Sequence, residues 1–131
     1  MFLMPGSRAK VRGFRTGLWV PTDASGAGLV FTGISASYTR MGNMIFAYGQ
    51  LTYPATVNAS NAIMGGFPVP FIVANYGRGI ASAYSNAGAL AKLLPTPGTS
   101  TALLINNANA QITNATLTGA TLIFSVAYPV S

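Results

Sequence analysis

Residues 44–53, Met-Ile-Phe-Ala-Tyr-Gly-Gln-Leu-Thr-Tyr, are the stretch that decides the fold. If the stretch is extended, its side chains point alternately to two faces. One face then carries Met44, Phe46 and Tyr48, and the other carries Ile45, Ala47, Leu51 and Tyr53. A strand that is apolar on both faces is covered on both faces. In a single-domain β-sandwich, we expect the second cover to be a neighbouring subunit.

The rest of the chain shows the same extended pattern. In residues 121–128 one face carries Leu122, Phe124, Val126 and Tyr128, while the other is smaller and mixed apart from Ile123. Gly- and Asn-containing turns separate short runs of β-branched and aromatic residues. We expect strands near 29–32, 36–40, 44–53, 62–64, 69–75, 79–85, 101–106 and 120–128. The best helical candidate, residues 86–94, is short and ends against Pro95. The predicted fold class is all-β, as a jelly-roll-like antiparallel β-sandwich.

Residues 1–16 differ from the remainder, because Gly and Pro interrupt them and they hold four of the seven basic residues. These are Arg8, Lys10, Arg12 and Arg15. The first three are spaced by two, which places their charges on one side of an extended segment. We therefore divide the chain into an extended basic N-terminal arm at 1–16 and a β-sandwich domain at 17–131.

Charge is scarce in this sequence. Only 6% of its 131 residues are charged, against about 25% in a typical soluble domain. Such a large uncharged surface suggests that other subunits cover much of it. No stretch approaches the roughly 18 apolar residues of a membrane-spanning helix, and residues 1–6 lack the pattern of a signal peptide. We expect no association with a membrane.

The sequence also lacks the residues of most catalytic sites. It has no His, no Cys and no Glu, and Asp23 is the single acid. General acid–base catalysis, a carboxylate pair for glycoside hydrolysis and a Ser-His-Asp arrangement all need more than this. A site for a hard cation needs several carboxylates. We expect no catalytic residue, no metal site and no cofactor, and we assign Asp23 to a turn or cap between Pro21 and Gly26.

Several segments together resemble known viral proteins. Residues 29–43 are an apolar strand leading to the turn Tyr38-Thr39-Arg40-Met41-Gly42, followed by the long apolar strand 44–54. Gly17-Leu18-Trp19-Val20-Pro21-Thr22 stands before them, Gly65-Gly66-Phe67-Pro68 follows, and residues 122–128 close the pattern. In this order, they resemble the β-sandwich modules of tailed-bacteriophage tail fibres, tail spikes and capsid decoration (cement) proteins. The resemblance implies a β-sandwich, usually a homotrimer, on the surface of a virion.

Two functions are compatible with that resemblance. Tail fibres have an N-terminal anchor and a stem, whereas here a short arm precedes the module, so we favour a decoration protein. Such a protein would trimerise and clamp neighbouring copies of the major capsid protein through its arm. The alternative is a tail-fibre or tail-spike component that contacts tail proteins and binds a host receptor, such as a surface glycan. Neither function is enzymatic.

The candidate binding residues follow from these hypotheses. Arg8, Lys10, Arg12 and Arg15 could form a solvated tail, dock on an acidic coat-protein surface or contact nucleic acid. We rank docking first and nucleic acid last, since four cations make few phosphate contacts. Arg40 and Arg78 cannot readily find an internal carboxylate, so we expect them to contact a partner. Loops 75–78 and 84–86 are the candidates for receptor contact.

Aromatic residues are numerous enough to include a sugar-stacking patch. They are Tyr38, Phe46, Tyr48, Tyr53, Phe67, Phe71, Tyr76, Tyr84 and Tyr128. Core and interface packing is the simpler explanation and the one we prefer, because aromatic residues are strong strand formers. We expect Trp19 to attach the entering chain to the sandwich.

Overall fold

A computed structural model of the protein describes residues 14–86, 90 and 92–130. This part of the chain is all-β. Its nine strands are β1 (Phe14–Leu18), β2 (Thr22–Asp23), β3 (Thr32–Met41), β4 (Met44–Thr52), β5 (Ile63–Gly65), β6 (Ile80–Ser85), β7 (Lys92–Pro95), β8 (Ala102–Ile105) and β9 (Thr121–Pro129). Two short 3₁₀ helices occur at Asn75–Arg78 and Asn114–Leu117. Within these ranges, no helix is long and apolar enough to cross a membrane.

The strands form two antiparallel sheets. The large sheet has the order β1-β3-β4-β9-β6, and the small sheet has the order β2-β5-β8-β7. β3 and β4 form a hairpin that closes at the Met41–Met44 pair, where Gly42 takes the left-handed conformation with a φ of 57°. β4 then pairs along its whole length with β9. The two strands whose patterns were clearest in the sequence are therefore neighbours at the centre of the large sheet.

One buried core joins the two sheets. The large sheet contributes Ile45, Leu51, Leu122 and Tyr128, and the small sheet contributes Met64, Leu93 and Leu104. Trp19 follows β1 and stacks on Phe67 at a centroid distance of 4.7 Å. Its indole nitrogen donates to the carbonyl oxygen of Ser37 at 3.0 Å. The expected role of Trp19, which is to attach the entering chain to the folded domain, is confirmed.

Most of the expected strands are present, and the exceptions have physical causes. The strands expected at 36–40, 44–53, 62–64, 79–85, 101–106 and 120–128 correspond to β3, β4, β5, β6, β8 and β9. The strand expected at 69–75 is wrong, since Pro68 and Pro70 remove backbone donors there. The strand expected at 29–32 is limited to Thr32, the first residue of β3.

The helix considered for residues 86–94 is wrong at its C-terminal end. Residues 92–94 belong to β7, in which Leu93 and Pro95 are buried while Lys92 and Leu94 are half-buried. That alternation has the period of a strand. β7 pairs with β8, and this pairing supplies the hydrogen bonds that a short helix would otherwise have made for itself.

The start of the sheet falls within the predicted arm. Phe14, Arg15 and Thr16 form the first residues of β1, an edge strand that pairs with β3. Arg8, Lys10 and Arg12 lie outside the described residues. Sequence patterning missed β1 because its side chains are mostly exposed on both faces, so they show no apolar alternation.

Candidate assembly surface

The outer face of the large sheet, which points away from the core, is the most distinctive surface of the protein. The strand registers arrange its side chains in rows that cross the sheet. The four rows are Phe14–Met41–Met44–Pro129, Thr16–Thr39–Phe46–Ala127–Ile80, Leu18–Ser37–Tyr48–Ser125–Ser82 and Ser35–Gln50–Ile123–Tyr84. Every residue in these rows is uncharged. We call this set the outer face.

Large apolar side chains on the outer face are open to solvent. Leu18 is 83% exposed, Ile80 81% and Tyr84 62%, and Ile123 and Tyr48 are about half exposed. Exposed apolar side chains scattered singly are ordinary, but a contiguous group on one face is typical of an interaction site. Of the two apolar faces expected for residues 44–53, one therefore lies in the core, and the other forms part of the outer face.

The outer face is not flat, because β9, which lies between β4 and the edge strand β6, carries small side chains there. Ser125 and Ala127 stand between the larger Tyr48 and Phe46 of β4 and the residues of β6. The result is a groove of about 500 Å³ whose lining includes Tyr48, Tyr84 and Ile123. Beside it lies a smaller hollow of about 220 Å³, lined in part by Phe46 and Ile80. Grooves between ridges of this kind allow side chains of a partner to interdigitate.

The aromatic residues divide between the core and this surface. Tyr53, Phe67, Phe71 and Tyr128 are buried, as the packing explanation requires. Phe46, Tyr48, Tyr76 and Tyr84 are exposed, and Tyr38 is half-buried. Tyr76 lies in the first receptor-loop candidate, and Tyr84 lies in the second. The sequence pattern of β4 already indicated which face Phe46 and Tyr48 would occupy.

Basic residues lie at the margins of the large sheet. Arg15 on β1 stands directly opposite Arg40 on β3. The Nε of Arg40 donates to the carbonyl oxygen of Gly42 at 2.9 Å, and Arg78 Nη1 donates to the carbonyl oxygen of Pro95 at 2.8 Å. Arg78 and Lys92 line a cleft of about 280 Å³ between β6 and β7. The structure thus brings Arg15 and Arg40 together, while Arg78 lies at the opposite edge.

Asp23 has the turn role that the sequence predicted. Its Oδ1 accepts hydrogen bonds from the Ser25 backbone N–H at 2.8 Å and from the Ser25 hydroxyl, and its Oδ2 accepts one from the Leu29 N–H at 2.9 Å. Asp23 also lies close enough to Tyr53 to affect its ionisation. Burial, and secondarily the charge of Asp23, raise the pKa of Tyr53 well above its ordinary value.

Comparison of the chain with protein-family models, with curated proteins and with solved structures finds no match. The outer face offers extensive apolar contact without charge, and the margins offer guanidinium groups.

Proposed function

We propose that the protein is a non-catalytic assembly protein whose outer face packs against a second copy of the same chain. The observation that carries this proposal is the absence of charge from all four rows of the outer face. The chain has a net charge of +6 with a single acid, so two copies repel one another wherever their basic residues meet. A face without charged side chains avoids this repulsion, and burying its apolar side chains stabilises the contact.

The size and composition of the outer face support self-association. With the observed strand lengths, five strands at about 4.8 Å spacing and about 3.3 Å per residue give a face of about 600 Å². A stable interface buries roughly 800 Å² on each partner. Tyr, Phe and Met are enriched in the centres of interfaces, whereas Lys, Glu and Asp are depleted there. The outer face carries Tyr, Phe and Met and no Lys, Glu or Asp, although two of its rows also hold Ser, which interfaces use less often.

In its more specific form, the proposal is that the chain is a virion structural protein and most closely a capsid decoration protein. The resemblance of residues 17–22, 29–54, 65–68 and 122–128 to phage virion modules supports it. The two sheets would then form a jelly-roll-like sandwich that trimerises through the outer face. The N-terminal segment would act as an arm that clamps neighbouring copies of the major capsid protein at the particle surface.

The groove on the outer face favours one alternative, a tail-fibre or tail-spike component that binds a host surface glycan. Tyr48 and Tyr84 offer exposed rings for sugar stacking, and Gln50 and Ser82 offer neutral hydrogen-bonding groups. Carbohydrate sites usually add Asp or Glu, which this surface lacks, and we therefore place assembly first. Binding of the purified protein on a glycan array, lost on Tyr84→Ala, would establish the alternative.

Self-association is tested with a matched pair of variants. Ile123 on β9, within the outer face, and Val57 in a loop outside it are both exposed. We expect the full chain to be oligomeric by size-exclusion chromatography with light scattering, Ile123→Lys to be monomeric and Val57→Lys to remain oligomeric. A monomeric wild type at tens of micromolar, or equal behaviour of the two variants, would contradict the proposal.

The virion location is tested separately, by quantitative mass spectrometry of purified particles. Copy numbers comparable to the major capsid protein are expected for a decoration protein. A few copies per particle, in multiples of three, would instead support the fibre component. Absence from particles would refute both virion functions, while leaving the result on self-association unaffected.

A further inference from the structure

Two arginines face each other across the edge of the large sheet. Arg15 and Arg40 are direct partners in the antiparallel pairing of β1 with β3, so their side chains leave the sheet on the same face. Side chains paired in this way have Cβ atoms about 5 Å apart, and like charges at such positions are destabilising. Arg15 is exposed and Arg40 is half-buried. An anion between or beside the two guanidinium groups would relieve this repulsion.

The sequence does not supply that anion from its own side chains. Its single acid, Asp23, already accepts hydrogen bonds from Ser25 and Leu29. Asp23 also lies near Tyr53, at the far end of β4, whereas Arg40 pairs with Ile45 near its start. Eight residues of strand separate these two positions by about 26 Å. The arginine pair and the acid thus lie near opposite ends of β4, and Asp23 itself belongs to the small sheet.

We propose that Arg15 and Arg40 form a binding site for a carboxylate on an acidic segment of a partner protein. Each guanidinium is a planar fork of N–H donors that matches a carboxylate. The Arg40 Nε–H is already held by the Gly42 carbonyl at 2.9 Å, which fixes the direction in which the rest of its guanidinium points. The site lies away from the outer face and does not depend on self-association.

A protein carboxylate fits this site better than a nucleic-acid backbone. Binding of nucleic acid gains affinity from many phosphate contacts along a groove or stripe. Here only two arginines occupy paired positions on one face, and Arg78 lies beside the opposite edge strand, four strand spacings or about 19 Å away. The neighbouring Phe14 and Met41 point to the outer face, on the opposite side of the sheet, so the carboxylate site consists of the two guanidinium groups alone.

The test uses the full chain and a fluorescein-labelled octaglutamate peptide, with binding followed by fluorescence anisotropy. We expect Arg15→Gln and Arg40→Gln each to weaken binding about tenfold, since each removes a charge-assisted hydrogen bond. Lys92→Gln removes the same charge elsewhere and should change affinity less than about twofold. Arg15→Lys, which keeps the charge but loses the fork, should fall between wild type and Arg15→Gln.

Two results would overturn the proposal. An equal loss of affinity in Lys92→Gln would mean that the peptide senses only net charge. Preference for a 20-nucleotide oligothymidylate over the peptide, with the same dependence on Arg15 and Arg40, would assign the site to nucleic acid. A loss of peptide binding should not reflect a loss of folding, because removing one of two facing like charges should not lower the melting temperature. The same variants should keep the oligomeric state of the wild type. The peptide-binding result and the self-association result can therefore be judged separately.

Discussion

The hydroxyl of Tyr53 donates a 2.7 Å hydrogen bond to Oδ1 of Asn114, a residue 61 positions further along the chain. The amide of Asn114 in turn donates to the hydroxyl of Ser25 and to Oδ1 of Asn58, both at 2.9 Å. Asn114 has no solvent exposure. Asn114 therefore holds three loops in one arrangement. If one of these loops moved, buried polar atoms would lose their hydrogen-bond partners.

Replacing Asn114 should therefore be among the most damaging polar substitutions. Asn114→Ala would leave the buried Tyr53 hydroxyl without its acceptor and would open a small cavity. We expect the free energy of unfolding to fall by about 2–3 kcal/mol. Urea denaturation measures this, with Asn107→Ala in an exposed turn as the control. Equal midpoints for the two variants would contradict the structural role of the network.

Alkaline pH should unfold the protein, whereas neutral and mildly acidic pH should not affect it. Burial raises the pKa of Tyr128 to about 12, and burial also raises the pKa of Tyr53. These groups keep their protons in the folded state at pH values where unfolded tyrosine, with a pKa near 10, loses them. Their contribution to stability is therefore complete below about pH 10 and is lost as the pH rises through the folded-state values.

The measurement is the urea midpoint at pH 6, 8, 10 and 11.5. We expect little change between pH 6 and 8, because the sequence has no His, Cys or Glu, and a steep fall above pH 10. Tyr128→Phe should make that fall shallower, while Tyr76→Phe, at an exposed site, should leave it unchanged. A marked loss of stability between pH 6 and 8 would be incompatible with this distribution of titratable groups.

Trp19 allows the core to be monitored directly, since it is the single Trp of the sequence. It is 6% exposed, and its ring meets Phe124 edge-on at 5.8 Å as well as stacking on Phe67. Its fluorescence should be blue-shifted in the folded protein and should shift to longer wavelength in one step on unfolding. Trp19→Ala should lower stability by about 3–5 kcal/mol. Val20→Ala, at the exposed neighbouring position, should have almost no effect.

The fold could be predicted from the sequence where side chains alternate along one strand, and not where a strand depends on its partner. Residues 44–53 and 121–128 carry their pattern within ten residues, and both were identified. The edge strand β1 has little apolar alternation because both of its faces are largely open, and β7 is defined by its pairing with β8. These two strands were missed for that reason.

The candidate site, too, could be predicted from the sequence only in part. The exposure of Phe46 and Tyr48 on one face of β4 could be derived from alternation, once the other face was assigned to the core. The juxtaposition of Arg15 with Arg40 could not, because it depends on the register between β1 and β3. A shift of one residue would place the two arginines on opposite faces of the sheet.

On its other side β3 pairs with β4, and the two backbones pack closely at Gly49. Gly49 lies opposite Ala36, and a Cβ added to it would stand 2.6 Å from the Ala36 Cβ and 2.6 Å from the backbone oxygen of Ser35. Gly49→Ala should therefore force β3 and β4 apart and lower stability by about 1–3 kcal/mol. Adding Ala36→Gly relieves the side-chain contact but not the backbone one, so it should restore only part of the loss. A Gly49→Ala variant as stable as wild type in urea would show that the two strands can separate at this point without penalty.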